Sequence, residues 1–262
     1  MVEIYTKESL KRRLQEIVDM GWIESKREGN HGGVGNTLED LLGIKENNLP
    51  IPNAAEWELK THRIGSTSLI TLLHSEPSPR ALGFVSKILL PKYGWPHKEA
   101  GGKYHAGEMS FRQTIHGFSA SDRGFRVIVD RAEQKVVISF DKSLVAVKNA
   151  GWLQDVKRKV GTGELDPQPY WGFGDLEHLL GTKLLNCFYV EASTKREGEA
   201  EFYRYEKVTM LQNFSFEGFL AGLETAQVLV DFDARSGHNH GTKFRMRQNY
   251  FPELYETVLE VV

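Results

Sequence analysis

Apolar residues recur at Leu10, Leu14, Ile17 and Val18 with polar ones between them, the spacing of a single helix face. Thr6 stands before this run, where it can cap the first turn, and Gly21 stands after it, where it can end the last. The pattern predicts an amphipathic helix near the N-terminus. The polar, glycine-rich SKREGNHGGVGN reads as a loop, and TLEDLLG after it as a helix that stops at Gly43 and carries Glu39. Alternation takes over in WELK. Trp57 and Leu59 are expected on one face of a half-buried strand, with Glu58 and Lys60 on the other.

Further along, GFRVIVD and KVVISF, separated by RAEQ, predict an antiparallel hairpin, and KLLNCFYVEAS with EFYRYEKVTML predicts a second, longer one. FSFEGFLAGLE has helical spacing. AQVLVDFDA then reads as a buried strand whose end delivers Asp233 and Arg235, and the basic residues after it as a loop. Prolines cluster in SEPSPR and DPQPYWGFG, both read as loops within a fold, and the chain shows no internal repeat or low-complexity tract.

With 262 residues, 40% hydrophobic and 26% charged, the chain has the balance of a soluble globular protein with one core, or two lobes sharing one. No apolar run approaches the roughly 18 residues that span a bilayer, and MVEIYTKESLKRR lacks the apolar core of a secretory signal, so a cytoplasmic protein is expected. The single cysteine, Cys187, excludes an internal disulfide and reads as a small buried hydrophobe. A net charge of −2 argues against indiscriminate coating of nucleic acid, but two stretches are locally basic. Between Arg80 and Arg112 six Lys or Arg face only Glu99 and Glu108. Between Arg235 and Arg247 stand Lys243 and Arg245, the histidines His238 and His240, and no acid.

Glu58 and Lys60, two apart on one strand face, are a candidate for phosphodiester hydrolysis, with Asn53 from the preceding turn able to close the site. That chemistry calls for a hard cation on carboxylate oxygens and often a lysine to orient water or offset developing charge. A Glu-x-Lys pair alone is as well explained by a solvated strand face, and Glu56, two residues earlier, by an exposed strand edge. Glu56 could also stand in for a missing carboxylate. GGVGNT lacks the Gly-Lys-Ser/Thr ending of a phosphate-binding loop, so nucleotide hydrolysis is not expected.

The passage GVGNTLEDLLGIKENNLPIPNAAEWELKTHR resembles the signature of the MvaI/BcnI family of Type II restriction endonucleases, of the PD-(D/E)xK superfamily. VLVDFDARSGHNHGTKFRMR resembles that family's C-terminal stretch. SFRQTIHG and GFRVIVD are similar but less specific, so the resemblance spans most of residues 30 to 250. It implies an α/β fold with a restriction-endonuclease-like core, a mixed β-sheet flanked by helices, and two lobes forming a DNA-binding cleft. The lobes are expected at about residues 1–110 (catalytic) and 111–262 (recognition). It further implies a monomer that cuts short G/C-rich sites in double-stranded DNA with Mg²⁺ in a prokaryotic cytoplasm, alongside an unbound cognate DNA methyltransferase. By motif, Asn53 falls on the metal-binding aspartate, Glu58 on the second metal-binding carboxylate, Lys60 on the catalytic lysine and Glu39 on a helical glutamate that completes the site.

Asn53 is the departure from the pattern: an amide keeps a carboxylate's shape but lacks its charge for Mg²⁺. The substitution keeps open an inactivated enzyme or a DNA-binding protein whose catalytic site has decayed, beside a third reading as a repair nickase related to MutH. For DNA contact the resemblance and the basic stretches together nominate His105, Arg112, Asp233, Arg235, His238, His240, Lys243, Arg245 and Arg247, because arginine suits bidentate contact with guanine while lysine and histidine can reach bases or phosphates.

Overall fold

A computed structural model describes residues 5–26, 33–44, 52, 54 and 56–262. The chain divides into two compact units, each assembled from separated segments: Met1–Ile70, His178–Gly218 and Arg247–Val262 form one, and Thr71–Glu177 with Phe219–Met246 the other. The boundary expected near residue 110 falls inside the second unit. Among the described residues no helix is long and apolar enough to cross a membrane.

The first unit is built on a mixed five-stranded sheet. Its centre is the long hairpin Asn186–Glu197 and Ala200–Phe214, flanked on one side by the Glu58–Arg63 strand, parallel to Asn186–Glu197, and on the other by Trp22–Glu24 and Tyr255–Glu260. The helix Lys7–Asp19 starts at the expected Thr6, which forms a reciprocal capping box with Ser9. Its buried Leu10, Leu14 and Ile17 join Val34, Leu38, Trp57, Leu59, Phe188, Val190, Tyr203 and Tyr205 in one apolar cluster. The second helix, Gly33–Leu41, begins earlier than TLEDLLG predicted, inside the stretch read as a loop. Val34 and Leu38, four apart, give it a buried stripe that outweighs the poor helix propensity of its glycines. Gly33 is required by packing, since a Cβ there would lie 2.2 Å from the Tyr203 hydroxyl oxygen. The Tyr205 hydroxyl donates to the Val34 carbonyl (2.7 Å), tying this helix to the sheet, and the Tyr5 hydroxyl donates to the Leu42 carbonyl (2.8 Å), tying the start of the first helix to the end of the second, so neither buried donor is stranded.

The second unit carries two sheets. One runs in the order Leu69–His74, His238–Arg247, Val228–Arg235, Met109–Ile115, Trp95–Pro96; the other joins Arg123–Asp130, Lys135–Val145 and Tyr170–Gly172. The expected hairpin at GFRVIVD and KVVISF is the core of the latter. Phe111, Phe125 and Phe232 pack edge to face, with Phe140 tilted against Phe125. One reading is corrected here: HNHGTKFRMR is not a loop but a ten-residue strand paired antiparallel with Val228–Arg235. Thr242, Phe244 and Met246 alternate into the core, a period-two pattern that the run of basic residues masked.

Candidate active site and nucleic-acid interface

The Glu58–Arg63 strand is entered through a tight turn. Ala54 and Trp57 exchange both backbone hydrogen bonds at 2.9 Å, and the Trp57 ring packs on Phe188 with centroids 4.6 Å apart. Trp57 and Leu59 thus anchor one face in the core, and the pleat sends Glu58 and Lys60 to the other, as alternation predicts. That other face is buried as well. Glu58 is only 1% exposed and sits in parallel register beside Cys187, with Lys60 beside Tyr189. Glu56 lies in the turn, exposed, and not on the strand face where it could share the position of Glu58.

A carboxylate this deeply buried needs compensation, because desolvating it costs several kcal/mol. Two lysines supply it: Lys60 Nζ donates to Glu58 Oε1 at 2.6 Å, and Lys183 Nζ lies 3.8 Å from the same oxygen. The ammonium groups respond in opposite directions. Burial lowers the Lys60 pKa, but the adjacent Glu58 outweighs it and holds the value above that of an ordinary lysine. For Lys183 burial prevails over the attraction of Glu58, aided by repulsion from Lys60, and the pKa falls. Glu39, on the Gly33–Leu41 helix, raises both, which brings it into the same electrostatic cluster. Burial, reinforced by Glu58, pushes the Cys187 thiol well up, leaving it the inert apolar residue expected.

The other carboxylate oxygen, Glu58 Oε2, is buried and accepts no hydrogen bond from the described residues. An orphaned, hard, anionic oxygen suits a divalent cation. Among the described residues no group of three or more His, Cys, Asp or Glu could hold a metal, and Asn53, the expected further ligand, lies outside them.

Lys183 was not legible as part of this cluster. KLLNCFYV reads as one strand, whereas the chain keeps Lys183 in the last turn of the helix Phe173–Leu184 and starts the strand only at Asn186. Helical spacing of Leu176, Leu180 and Leu184, all fully buried, was the available signal.

In the second unit, three adjacent strands present one polar face. Asp231, Asp233 and Arg235 alternate with the buried Val230, Phe232 and Ala234, while Lys243 and Arg245 alternate with Thr242, Phe244 and Met246. The basic stretch lacks acids in sequence but meets them across strands. Arg245 Nη1 lies 3.2 Å from Asp231, which also accepts from Thr114 Oγ1 at 2.8 Å, and Arg112 Nε lies 3.3 Å from Asp233. Lys243 and Arg247 make no ion pair among the described residues. His238 and His240 stand exposed beside the Ser236–Gly237 turn, their rings 4.1 Å apart. His105 and Arg235 converge on Glu108, a carboxylate that sequence reading counted only as a neutralising acid. The structure thus separates the nominated residues into a Glu58–Lys60–Glu39 cluster in the first unit and a charged strand face with its flanking loop in the second; Arg247 closes the strand where the chain returns to the first unit.

Known proteins resemble this chain over nearly its whole length. The model of the MvaI/BcnI restriction endonuclease family matches residues 11–255. A solved complex of restriction endonuclease MvaI with its cognate DNA substrate is 26% identical, with a TM-score of 0.77, over 98% of this chain and 100% of that one. MvaI solved in the absence of DNA is likewise 26% identical, with a TM-score of 0.56 and full coverage of both chains. No curated protein sequence matches. The mixed α/β fold is that of the MvaI enzyme, and with the family match running through both units the chain belongs to the MvaI/BcnI restriction endonuclease family.

Proposed function

We propose that this chain is built as a Type II endonuclease that binds double-stranded DNA as a monomer and hydrolyses phosphodiester bonds in short G/C-rich sites with Mg²⁺. We further propose that Asn53 holds it in a form with little activity. The observation that carries the reading is the buried Glu58, one oxygen shared by two lysines and the other without a partner among the described residues. Such an arrangement is costly as pure architecture. Glu58 Oε2 and the Asn53 side-chain oxygen would hold the cation, with Glu39 completing the charge of the site. When bound, Mg²⁺ polarises the phosphate and lowers the pKa of its water. Lys60, kept protonated by Glu58, presents a fixed positive charge to the phosphate and the attacking water. The charged strand face of the second unit would supply recognition of the duplex, and the solved MvaI structure, a complex with its cognate DNA substrate, supports a role in DNA binding for the fold.

Asn53 favours one other reading, a sequence-specific DNA-binding protein with a decayed site, since an amide supplies no charge to the cation. Plasmid cleavage by the chain and by its Asn53→Asp variant, with Mg²⁺ and with chelator, separates the two. The endonuclease reading expects several orders of magnitude more Mg²⁺-dependent cleavage from the aspartate form. Specific binding without cleavage by either form would establish the decayed protein instead.

A further inference from the structure

Among the described residues Glu108 is, like Glu58, a buried carboxylate in contact with two basic side chains. It is 2% exposed, at the end of the 97–108 loop, immediately before the Met109–Ile115 strand. Its Oε1 accepts from Arg235 Nη1 at 3.1 Å and its Oε2 pairs with His105 Nε2 at 2.7 Å. The guanidinium carbon of Arg235 also lies 4.7 Å from the centroid of the Tyr104 ring, and Nη1 makes a longer contact, 3.4 Å, with the Ser236 carbonyl. The loop is stapled to the hairpin turn by two further bonds, Ser236 N to the Met109 carbonyl and Met109 N to Ser236 Oγ, both 3.0 Å.

Every hydrogen bond that the Arg235 side chain makes among the described residues uses Nη1. Its Nη2 and Nε remain as a pair of parallel donors, the geometry that matches O6 and N7 of guanine. Arginine is long and loses much rotamer freedom when it is fixed on a ligand, so an arginine already held by a carboxylate and an aromatic face recognises its base at lower entropic cost. A negative charge at a DNA-contacting surface also works against binding: it repels phosphate and offsets a cation that would otherwise attract it. Glu108 therefore has opposite consequences for specific and non-specific association.

We propose that Glu108 is a positioning residue for base recognition, fixing Arg235, with His105 beside it, so that the free guanidinium edge meets a guanine in duplex DNA. This rests on the proposed DNA-reading role of the strand face. The test is binding without divalent metal. A preferred site is first selected from a randomised duplex pool, and affinity is then measured on its single-base variants for the parent protein, Arg235→Ala, Glu108→Gln, Glu108→Ala and the Glu108→Ala/Arg235→Ala double variant. Arg235→Ala is expected to lose discrimination at one base pair. Glu108→Ala should lose about tenfold at that same pair, the scale of one loosened bidentate contact, with unchanged or tighter binding to unrelated duplexes. The double variant should be no worse there than Arg235→Ala, because the two residues act through one contact. Glu108→Gln keeps the shape of the site and should show a smaller loss at the same pair, which guards against misfolding of the alanine form. Equal loss on all sequences, or additive losses in the double variant, would overturn the role of Glu108 while leaving Arg235 as a reader. Undiminished discrimination in Arg235→Ala would overturn the reading of this surface, and the proposal with it.

Discussion

Glu58 and Asp233 are both carboxylates on strands with a basic partner close by, yet their surroundings give the two pairs different properties. Glu58 is 1% exposed and its lysines lie deep, with side-chain exposures of 16% for Lys60 and 19% for Lys183. The Arg112 side chain that meets Asp233 is 64% exposed. In the first setting water cannot compete, so the charges are held in place and a missing partner is expensive. In the second, water and salt screen the pair, its net stabilisation is near zero to 1 kcal/mol, and either partner can be exchanged for a ligand at little cost. Burial suits the first cluster to chemistry that needs fixed charges, and exposure suits the second to a polyanion that must be bound and released.

That contrast can be broken most severely in the buried cluster. Replacing Lys60 and Lys183 together by methionine would leave Glu58 as an uncompensated buried charge, with an expected loss of about 3–5 kcal/mol in denaturant unfolding. Lys60→Met alone should cost clearly less, since Lys183 remains near the same oxygen; equal costs for the single and double variants would show that Lys183 contributes nothing to neutralising Glu58. On the exposed face, Arg112→Ala is expected to change stability by no more than about 1 kcal/mol. A loss comparable to that of the lysine pair would remove the distinction between the two regions.

The smallest effect concerns His62, at the solvent end of the same strand as Glu58. Its ring stacks on Tyr189 and lies near Glu191, and burial lowers its pKa below 6.5 despite that carboxylate. The neutral imidazole is the form favoured by folding. Its contribution is therefore fully present above pH 6.5 and is lost as pH falls through the lower, folded-state pKa. A His62→Phe variant should lose stability less steeply on acidification below pH 6.5 than the parent, and identical slopes would contradict the assignment.

What could be read from the chain was whatever depended on local periodicity. The Thr6 cap, the amphipathic first helix, both long hairpins and the opposite faces of Trp57 and Glu58 follow from spacings of two and of three to four residues, and the structure has them. Contributions from distant segments were not legible. Lys183 reaches Glu58 from a helix 123 positions beyond Lys60, and Glu108 reaches Arg235 across 127. Composition misled at the Arg235–Arg247 stretch for the same reason: its neutralising acids, Asp231 and Asp233, precede it on the chain, and its apolar alternation lay hidden among basic residues. Asn53, the most informative single letter, lies outside the described residues, so its weight rests on the family pattern.

The claim that one region cuts and the other reads is tested most directly by Glu58→Gln and Arg235→Ala, each in an Asn53→Asp background, assayed side by side for Mg²⁺-dependent cleavage and for metal-free binding to single-base variants of the preferred site. Glu58→Gln is expected to abolish cleavage with site-specific binding intact, and Arg235→Ala to keep the capacity to cut while losing discrimination at one base pair. A folded Glu58→Gln protein that still cuts, or that loses site-specific binding together with cleavage, would contradict it.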